Sequence, residues 1–149
     1  MQPVVSVAVR RLPHCYALPT YARPGDAGLD LHAAHEGELT VLPGAFQRIP
    51  TGIAIELPSG YMAFVQPRSG LAARHGLTVL NTPGLIDSGY RGEIEVLLIN
   101  HGTTPFIVCR GDRIAQLLVL PVPAVEWQEV TQLGDSARQG GGFGSSGYG

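Results

Sequence analysis

The sequence has no lysine and little charge of either sign. All 10 basic residues are arginine, charged residues make up 15% of the chain, and the formal net charge is −2. With no broad basic field, the chain is not expected to bind nucleic acid. The absence of lysine is best explained by codon bias in a GC-rich genome. The lesser alternative is that several arginines grip phosphate, which a planar guanidinium suits better than an ammonium.

Cysteine and long apolar runs are scarce as well. The two cysteines, Cys15 and Cys109, are too few for a disulfide framework, and Cys109 lies in the apolar run PFIVCR, which predicts a buried thiol. No stretch approaches about 18 apolar residues, and no N-terminal run has the flanks of a signal peptide. We therefore expect no membrane association, and a reducing cytoplasm as the location.

Short apolar segments separated by turns dominate what is present. The chain has 149 residues, of which 44% are hydrophobic, so it suffices for one domain with a real core and is too apolar for disorder. VVSVAV, GIAIEL, EIEVLLI and RIAQLLVLPV have the composition of strands. In EIEVLLI, Glu93 and Glu95 alternate with Ile94 and Val96. Pro and Gly recur about every 8 to 12 residues, which predicts a sandwich, a jelly roll or a barrel.

One segment and the C-terminal end depart from this strand pattern. SGLAARHG predicts a helix of about two turns, with Ser69 as its N-cap and Gly76 as its C-terminal stop. After the strand-like AVEWQEV, the composition shifts to Gly and Ser from Asp135 onward. The sequence therefore predicts a β domain over residues 1–134 and a flexible glycine-rich arm over residues 135–149.

Two stretches carry side chains that suit phosphate chemistry, and each also has a purely structural interpretation. Arg68 and Ser69 stand at the start of the predicted helix, where free amides and the helix dipole favour an anion; an ordinary N-cap is the alternative. Asp26 and Asp30 are turn caps in the simplest interpretation. Alternatively they approach a magnesium ion, which often touches protein through one or two carboxylates.

The stretch NTPGLIDSGYRGEIEV predicts two strands joined as a hairpin with extra turns. Asp87 either caps a turn or is a carboxylate in a partly dry place that accepts a proton from water. Tyr90 belongs either to the core or rim, or to a site where its ring lies against a sugar or a base.

Five segments occur in a fixed order: PGDAGLDL, PRSGLA, NTPGLIDSGYRGEI, RGDRIAQL and RQGGGFGSSG. In this order and spacing they resemble the five motifs of the trimeric dUTP pyrophosphatases (dUTPases), over about residues 24–147. The resemblance implies an all-β, distorted jelly-roll barrel with one short helix and a flexible C-terminal arm that closes over the active site. It also implies a homotrimer with sites shared between subunits.

The activity implied by the resemblance is hydrolysis of dUTP to dUMP and pyrophosphate, with Mg²⁺ as cofactor and water attacking the α-phosphate. Such a dUTP diphosphatase keeps uracil out of DNA and supplies dUMP for thymidylate synthesis. Asp87 matches the carboxylate that deprotonates the water, and Tyr90 the ring that packs on deoxyribose and excludes a 2′-hydroxyl. Asp30 matches the outer-sphere partner of a magnesium-bound water. The implied substrate-binding positions are Asn81, Leu85, Ile86 and Glu95 for the nucleoside, Arg68, Ser69, Gly70, Gln116, Arg138, Gly144 and Ser145 for the phosphates, and Phe143 for a ring that caps uracil.

Two alternatives remain. A dCTP deaminase of the same fold would carry a catalytic Glu where this chain has Leu97, and tends to have Trp in place of Tyr90, so it is disfavoured. A non-enzymatic jelly-roll binding module would explain the strands and turns. It would not explain why Arg68, Asp87, Gln116 and Arg138 arrive in this order.

Overall fold

Short strands make up most of the regular structure. The structure is a computed structural model that describes residues 2–149, and within them it has 10 strands and one helix. The strands are β1 (Ala8–Arg11), β2 (Leu29–His32), β3 (Glu38–Val41), β4 (Phe46–Glu56), β5 (Tyr61–Gln66), β6 (Leu77–Val79), β7 (Gly84–Ile86), β8 (Glu93–Asn100), β9 (Phe106–Cys109) and β10 (Arg113–Pro121). The helix α1 (Ser69–His75) lies between β5 and β6. The all-β prediction, with one short helix, is confirmed.

The strands form two four-stranded sheets and one two-stranded ribbon. The first sheet has the order β1-β4-β8-β6, the second β2-β10-β5-β7, and the ribbon pairs β3 with β9. Every ladder is antiparallel. One apolar cluster joins them, with Ile49 from the first sheet, Val65 from the second and Val108 from the ribbon. Burying each such side chain contributes about 1.5–3 kcal/mol, so this shared core holds the layers together.

The central strand β8 follows the predicted alternation. Ile94 and Val96 are buried in the core, whereas Glu93 and Glu95 are half-buried on the opposite face. Successive side chains of a strand point to opposite faces, so one face packs and the other remains available for polar contacts. The two glutamates stand on that second face.

Three local predictions are wrong. The first strand begins at Ala8, so only the end of VVSVAV is a strand, and Val4 is exposed. Arg68, not Ser69, takes the N-cap position of α1, and it makes no side-chain capping hydrogen bond. Cys109 is exposed, because β9 is in a two-stranded ribbon where Val108 faces the core and its neighbours face water. Gly76 does end the helix as predicted, with a left-handed φ of 69°.

The predicted hairpin between β7 and β8 is also wrong. The ladder partner of β7 is β5, whereas β8 pairs with β4 and β6, so the two consecutive strands belong to different sheets. The segment between them carries the chain from one sheet to the other. Within the described chain β7 is therefore an edge strand, and one side of its backbone has no ladder partner.

Beyond Pro121 the described residues contain neither helix nor strand, so AVEWQEV does not form the strand expected of it. Large apolar side chains of this segment stand in water, among them Trp127 at 91% exposure. The division of the chain at residues 134 and 135 stays a prediction. No helix between residues 2 and 149 has the length and apolar character needed to cross a membrane.

Candidate functional site

A first cavity of about 160 Å³ lies where the chain passes from the second sheet to the first. The residues around it come from β7, the turn after it and the start of β8, with Val65 contributed by β5 and Asn81 by the segment before β7. Six predicted site residues come together here. The lining residues are Val65, Asn81, Gly84, Leu85, Ile86, Asp87, Tyr90, Glu93, Ile94 and Glu95.

The Tyr90 ring is fixed by its own loop. Its amide donates to the main-chain oxygen of Asp87 at 3.1 Å, which closes a turn, and its hydroxyl donates to the main-chain oxygen of Glu93 at 2.7 Å. The ring lies against Gly92, where an added Cβ would come within 2.6 Å of the hydroxyl oxygen. A residue with a side chain at position 92 would therefore displace the ring, and the glycine is a requirement of its placement.

Asp87 follows the last residue of β7 and is exposed in the single chain. This corrects the expectation of a partly dry carboxylate. The physical reason is that it lies in a turn at an edge strand, where its own chain does not cover it. If water is to be excluded around Asp87, another segment must cover it.

Glu95 also lines this cavity, and its carboxylate is occupied by an ion pair with Arg48 of β4. The pair joins neighbouring strands of the first sheet and Arg48 is exposed. The side chain of Glu95 therefore has a partner before any ligand arrives.

A second cavity of about 350 Å³ gathers the predicted phosphate and metal positions. Five predicted residues line it, contributed by β2, the start of α1 and β10. The lining residues are Ala22, Asp26, Ala27, Gly28, Asp30, Arg68, Ser69, Gly70 and Gln116.

Charge in this cavity is arranged around Asp30. Its side chain is 14% exposed and lies 3.6 Å from Nε of Arg68 and 3.4 Å from an Nη of Arg113. Arg68 also donates to the main-chain oxygen of Arg113 at 3.0 Å. Arg68 is the cation of the lining, which also holds the carboxylates of Asp26 and Asp30, and Arg113 adds a second guanidinium beside Asp30 from outside it. Guanidinium groups suit the oxygens of a phosphate chain. Arg113 was not among the predicted site residues, although it stands in the RGDRIAQL segment.

His32 lies beside this cluster at the end of β2. Burial lowers the pKa of its imidazole; the nearby Arg113 and Arg68 lower it further, and Asp30 acts in the opposite direction. The centroid of the His32 ring lies 5.9 Å from the centroid of the Tyr16 ring, and Nδ1 of His32 is buried with no hydrogen-bond partner among the described residues. The neutral imidazole is therefore favoured here.

Gln116 is held in place by two features. Its Nε2 donates to the main-chain oxygen of Pro67 at 2.9 Å, just before the helix that carries Ser69. On its other side an added Cβ at Gly28 would lie 2.3 Å from the Gln116 Oε1. Gly28 is thus a site residue that the sequence prediction missed, although it stands within PGDAGLDL.

The donor set was tested for a fit to magnesium. No group of three or more His, Cys, Asp or Glu that could hold a metal occurs within residues 2–149. Asp26 accepts the amide of Arg23 at 3.0 Å and so acts as a turn cap, while Asp30 lines the second cavity with its carboxylate near two cations. One available carboxylate fits an Mg²⁺ that keeps most of its waters, and does not form a cage of direct protein ligands.

The four predicted positions of the arm are not brought to either cavity. Phe143, Gly144 and Ser145 are exposed, and Arg138 donates from Nε to the main-chain oxygen of Gly141 at 2.5 Å, within the arm itself. In the described part of the chain, no residue after Gln116 lines either cavity. The placement of Arg138, Phe143, Gly144 and Ser145 against a ligand stays a prediction.

The fold and the two cavities define a class: an antiparallel β protein with one cavity that joins an arginine to carboxylates and small residues, and a separate cavity lined by a tyrosine and carboxylates. Solved structures share the fold. A dUTPase of Staphylococcus bacteriophage 80alpha, solved with dUpNHpp, matches with a TM-score of 0.87 and 24% identity, covering 97% of this chain and 100% of that one. A dUTPase from phage phi11 of S. aureus, whose structure describes a structural Mg(II) ion, matches with a TM-score of 0.78 and 23% identity over 86% of this chain and 98% of that one. The jelly-roll prediction is confirmed.

Sequence comparison identifies the family within that class. The dUTPase family model matches residues 15–147. The deoxyuridine 5'-triphosphate nucleotidohydrolase of Gloeobacter violaceus is 71% identical over 148 residues, 99% of this chain and 100% of that protein. The protein of the same name from Thermobifida fusca is 56% identical over 96% of this chain and 79% of its own length. The chain belongs to the dUTPase family.

Proposed function

We propose that the chain hydrolyses dUTP to dUMP and pyrophosphate by attack of water on the α-phosphate. The observation that carries this proposal is the division of the site into two cavities. One is lined by a fixed tyrosine ring and the carboxylate of Asp87, and the other by Arg68, Gln116 and small residues that suit phosphate. A deoxynucleoside triphosphate presents these two parts, a nucleoside and a polyanionic chain. Removing dUTP keeps uracil out of DNA and provides dUMP for thymidylate synthesis.

Asp87 is the proposed general base. An ionised carboxylate accepts a proton from the attacking water and so makes it a better nucleophile toward phosphorus. Arg68 holds the phosphate chain with its guanidinium and Gln116 with its side-chain amide. The main-chain amides at the start of α1 add further donors. Asp30 would hold a water of a bound Mg²⁺, and the ion would supply positive charge to the phosphate chain. Pyrophosphate leaves opposite the water, so alignment of the chain is the main task of these residues.

Uracil recognition is proposed at β7. As an edge strand, it leaves main-chain donors and acceptors on one side without ladder partners. Those groups near Leu85 and Ile86, together with the amide of Asn81, can match the alternating donors and acceptors of uracil. Cytosine would leave some of them unpaired, and a buried unpaired polar group is costly enough to reject an analogue strongly. Close contact of β7 with the base would exclude the methyl group of thymine.

The active assembly is proposed to be a homotrimer whose sites combine residues of different subunits. Two observations support it: Asp87 is exposed in the single chain, and the arm residues lie against neither cavity of their own chain. Arg138 would grip the γ-phosphate and Phe143 would cover uracil when the arm of one copy closes on another. The free thiols of Cys15 and Cys109 fit a cytoplasmic location.

The proposal is tested by measuring pyrophosphate release from dUTP, dCTP, dTTP and UTP side by side, with Mg²⁺. We expect dUTP to be the preferred substrate, by at least about 10⁴-fold over dCTP, the scale reached by sites that hydrogen-bond a specific group. Ammonia release from dCTP would instead indicate a deaminase, an alternative that Leu97 does not favour because it supplies no carboxylate. Binding of dUTP with no product would leave only a binding module.

A further inference from the structure

An interruption in the first sheet lies directly behind the cavity that holds Tyr90. The ladder between β4 and β8 pairs Pro50 with Glu95 and Ala54 with Glu93, so three residues of β4 face a single residue of β8. Such a bulge leaves main-chain groups without ladder partners. The amide of Gly52 is one of them, and it donates to the Glu93 carboxylate at 2.9 Å. Glu93 therefore completes the bulge with its side chain.

The turn at residues 12–15 covers this bulge from outside. The amide of Leu12 donates to the main-chain oxygen of Gly52 at 2.8 Å. An added Cβ at Gly52 would lie 2.4 Å from the Cα of Cys15, so the turn and the bulge are in close contact. At this turn, Nε2 of His14 contacts the same carboxylate oxygen of Glu93 that accepts from Gly52. A carboxylate accepts, so the imidazole donates.

His14 is itself held from a third direction. The guanidinium of Arg110 donates to the main-chain oxygen of His14 at 2.9 Å and to that of Ala34 at 2.7 Å. This arginine is the first residue of the RGDRIAQL segment, and its guanidinium is engaged with main-chain oxygens. The imidazole of His14 is thereby presented to Glu93 from a fixed backbone.

Glu93 connects this network to the nucleoside cavity. It lines the cavity, and its main-chain oxygen accepts the hydroxyl of Tyr90 at 2.7 Å. The orientation of the Tyr90 ring therefore depends on the position of Glu93. The contacts with Gly52 and His14 in turn hold the side chain of Glu93 in place.

We propose that His14 is a positioning residue for sugar discrimination, acting through Glu93 on the Tyr90 ring. The inference rests on the proposed function, in which that ring leaves no room for a 2′-hydroxyl. His14 touches no substrate in this scheme. It limits the movement of the start of β8, and thereby limits the space that is available to the 2′-hydroxyl of a ribose.

The partial exposure of the pair separates this role from a purely stabilising one. The side chains of His14 and Glu93 are 36% and 20% exposed. An ion pair at such a place contributes little to stability, about 0–1 kcal/mol. A displacement of the ring by a fraction of an ångström, however, acts directly on the clash with a 2′-hydroxyl. Loss of His14 should therefore appear in selectivity more than in melting temperature.

The test compares His14→Leu, which fills the space without a donor, with His14→Gln, whose amide nitrogen can stand near the position of Nε2. The ratio of kcat/KM for dUTP to that for UTP is measured for both and for the parent, together with Tm. We expect the ratio to fall about tenfold in His14→Leu, because a misplacement of about 1 Å can cost about 100-fold and the ring would move by less, and to return to within about threefold of the parent in His14→Gln. His101→Leu, at an exposed histidine away from this network, is the control and should keep the parent ratio.

A coupling measurement extends the test. Glu93→Leu, which removes both acceptor oxygens, should by itself also lower the ratio, and adding His14→Leu to it should lower the ratio little further, because both changes remove the same contact. If His14→Leu does not fold, His14→Asn takes its place, since its shorter amide does not reach Glu93.

The outcomes distinguish the two proposals. A parent that does not prefer dUTP to UTP would overturn the proposed function. A parent that discriminates, with an unchanged ratio in both His14→Leu and His14→Asn, would overturn the role of His14 and leave the function standing. A ratio lowered equally in His14→Gln and His14→Leu would also contradict the positioning role.

Discussion

At the scale of single residues, Asp87 is the group whose chemistry is most directly testable. Asp87→Asn keeps the shape of the side chain and removes its ability to accept a proton. We expect kcat to fall by about 10²–10⁴, the usual contribution of a general base, with KM nearly unchanged because the phosphate contacts remain. Steady-state kinetics with dUTP measures both constants, and Glu38→Gln, at an exposed strand position, is the matched control. Turnover within tenfold of the parent would exclude Asp87 as the base.

Gly28 supports the second cavity by being small. In Gly28→Ala the new methyl group would lie 2.3 Å from the Gln116 Oε1, so the amide must move away from Pro67. Displacing a phosphate contact by about 1 Å should lower kcat/KM for dUTP about 10- to 100-fold. Gly134→Ala, where no atom lies within 4 Å of the added Cβ, should have the activity of the parent. Equal activity of both variants would show that Gln116 is not positioned by Gly28.

His32 makes stability depend on pH in a defined direction. Burial lowers its folded pKa below the usual 6.5, so between that value and the folded pKa the unfolded chain binds a proton that the folded chain does not. The contribution of His32 to the free energy of unfolding is therefore fully present above about pH 6.5, and it decreases as the pH falls toward the folded pKa.

Urea unfolding at several pH values between 7 and 5 tests this prediction. We expect the free energy of unfolding to decline less steeply in His32→Gln than in the parent, because the substituted side chain does not titrate. His101→Gln, at an exposed histidine, should keep the parent slope. Identical slopes in all three proteins would rule out a contribution from His32.

At the scale of elements, local pattern predicted some features and missed others. The alternation of Glu93 with Ile94 and the stop at Gly76 are local, so β8 and the end of α1 were predictable. The partner of β7 was not, because strand pairing joins distant segments and the pattern of one strand does not say which sheet it enters. Cys109 shows the same limit: an apolar run predicts a strand, but not which of its faces is covered.

The candidate site divides in the same way. Six of the residues that line the first cavity lie within residues 81–95, and the family resemblance assigns them from the sequence: Asn81, Leu85, Ile86, Asp87, Tyr90 and Glu95. Arg113 and Gly28 stood in recognised segments without an assigned role, since their importance depends on contacts with Asp30 and Gln116. The pairing of His14 with Glu93 joins residues 79 positions apart, and no local sequence pattern predicts it.

The arm is an element whose removal should affect function without affecting the fold. A chain truncated after Ala137 keeps every strand, since the last one ends at Pro121. We expect its Tm to match the parent within a few degrees, while dUTP hydrolysis falls at least about 100-fold because the arm no longer grips the γ-phosphate or excludes water. The control lacks only residues 148–149, which lie beyond the family match. Full activity after loss of residues 138–149 would refute the proposed closure.

At the scale of the whole molecule, sharing of sites between subunits can be tested by complementation. Asp87→Asn with an intact arm and the chain truncated after Ala137 are each expected to be inactive. They are mixed in equal amounts while unfolded, and refolded together. If the base and the arm come from different chains, random assembly into closed trimers restores about one quarter of the sites, one half for each independent requirement.

If base and arm came from the same chain, no mixed trimer would contain an intact site. Mass measurement of the refolded protein establishes that mixed trimers are present. Activity no greater than the sum of the two parents, in a sample that contains them, would contradict the shared site.

The exposed Trp127 has a practical consequence for such experiments. It is the single tryptophan of the chain, it lies in the segment without regular structure beyond Pro121, and it is 91% exposed in one copy. An indole surrounded by water fluoresces at longer wavelength than one packed against protein, and a small quencher in solution reaches it freely. The emission wavelength of Trp127 and its quenching therefore report whether another copy covers that segment. This measurement requires no label, and the colour of the emitted light would report the separation of subunits on dilution.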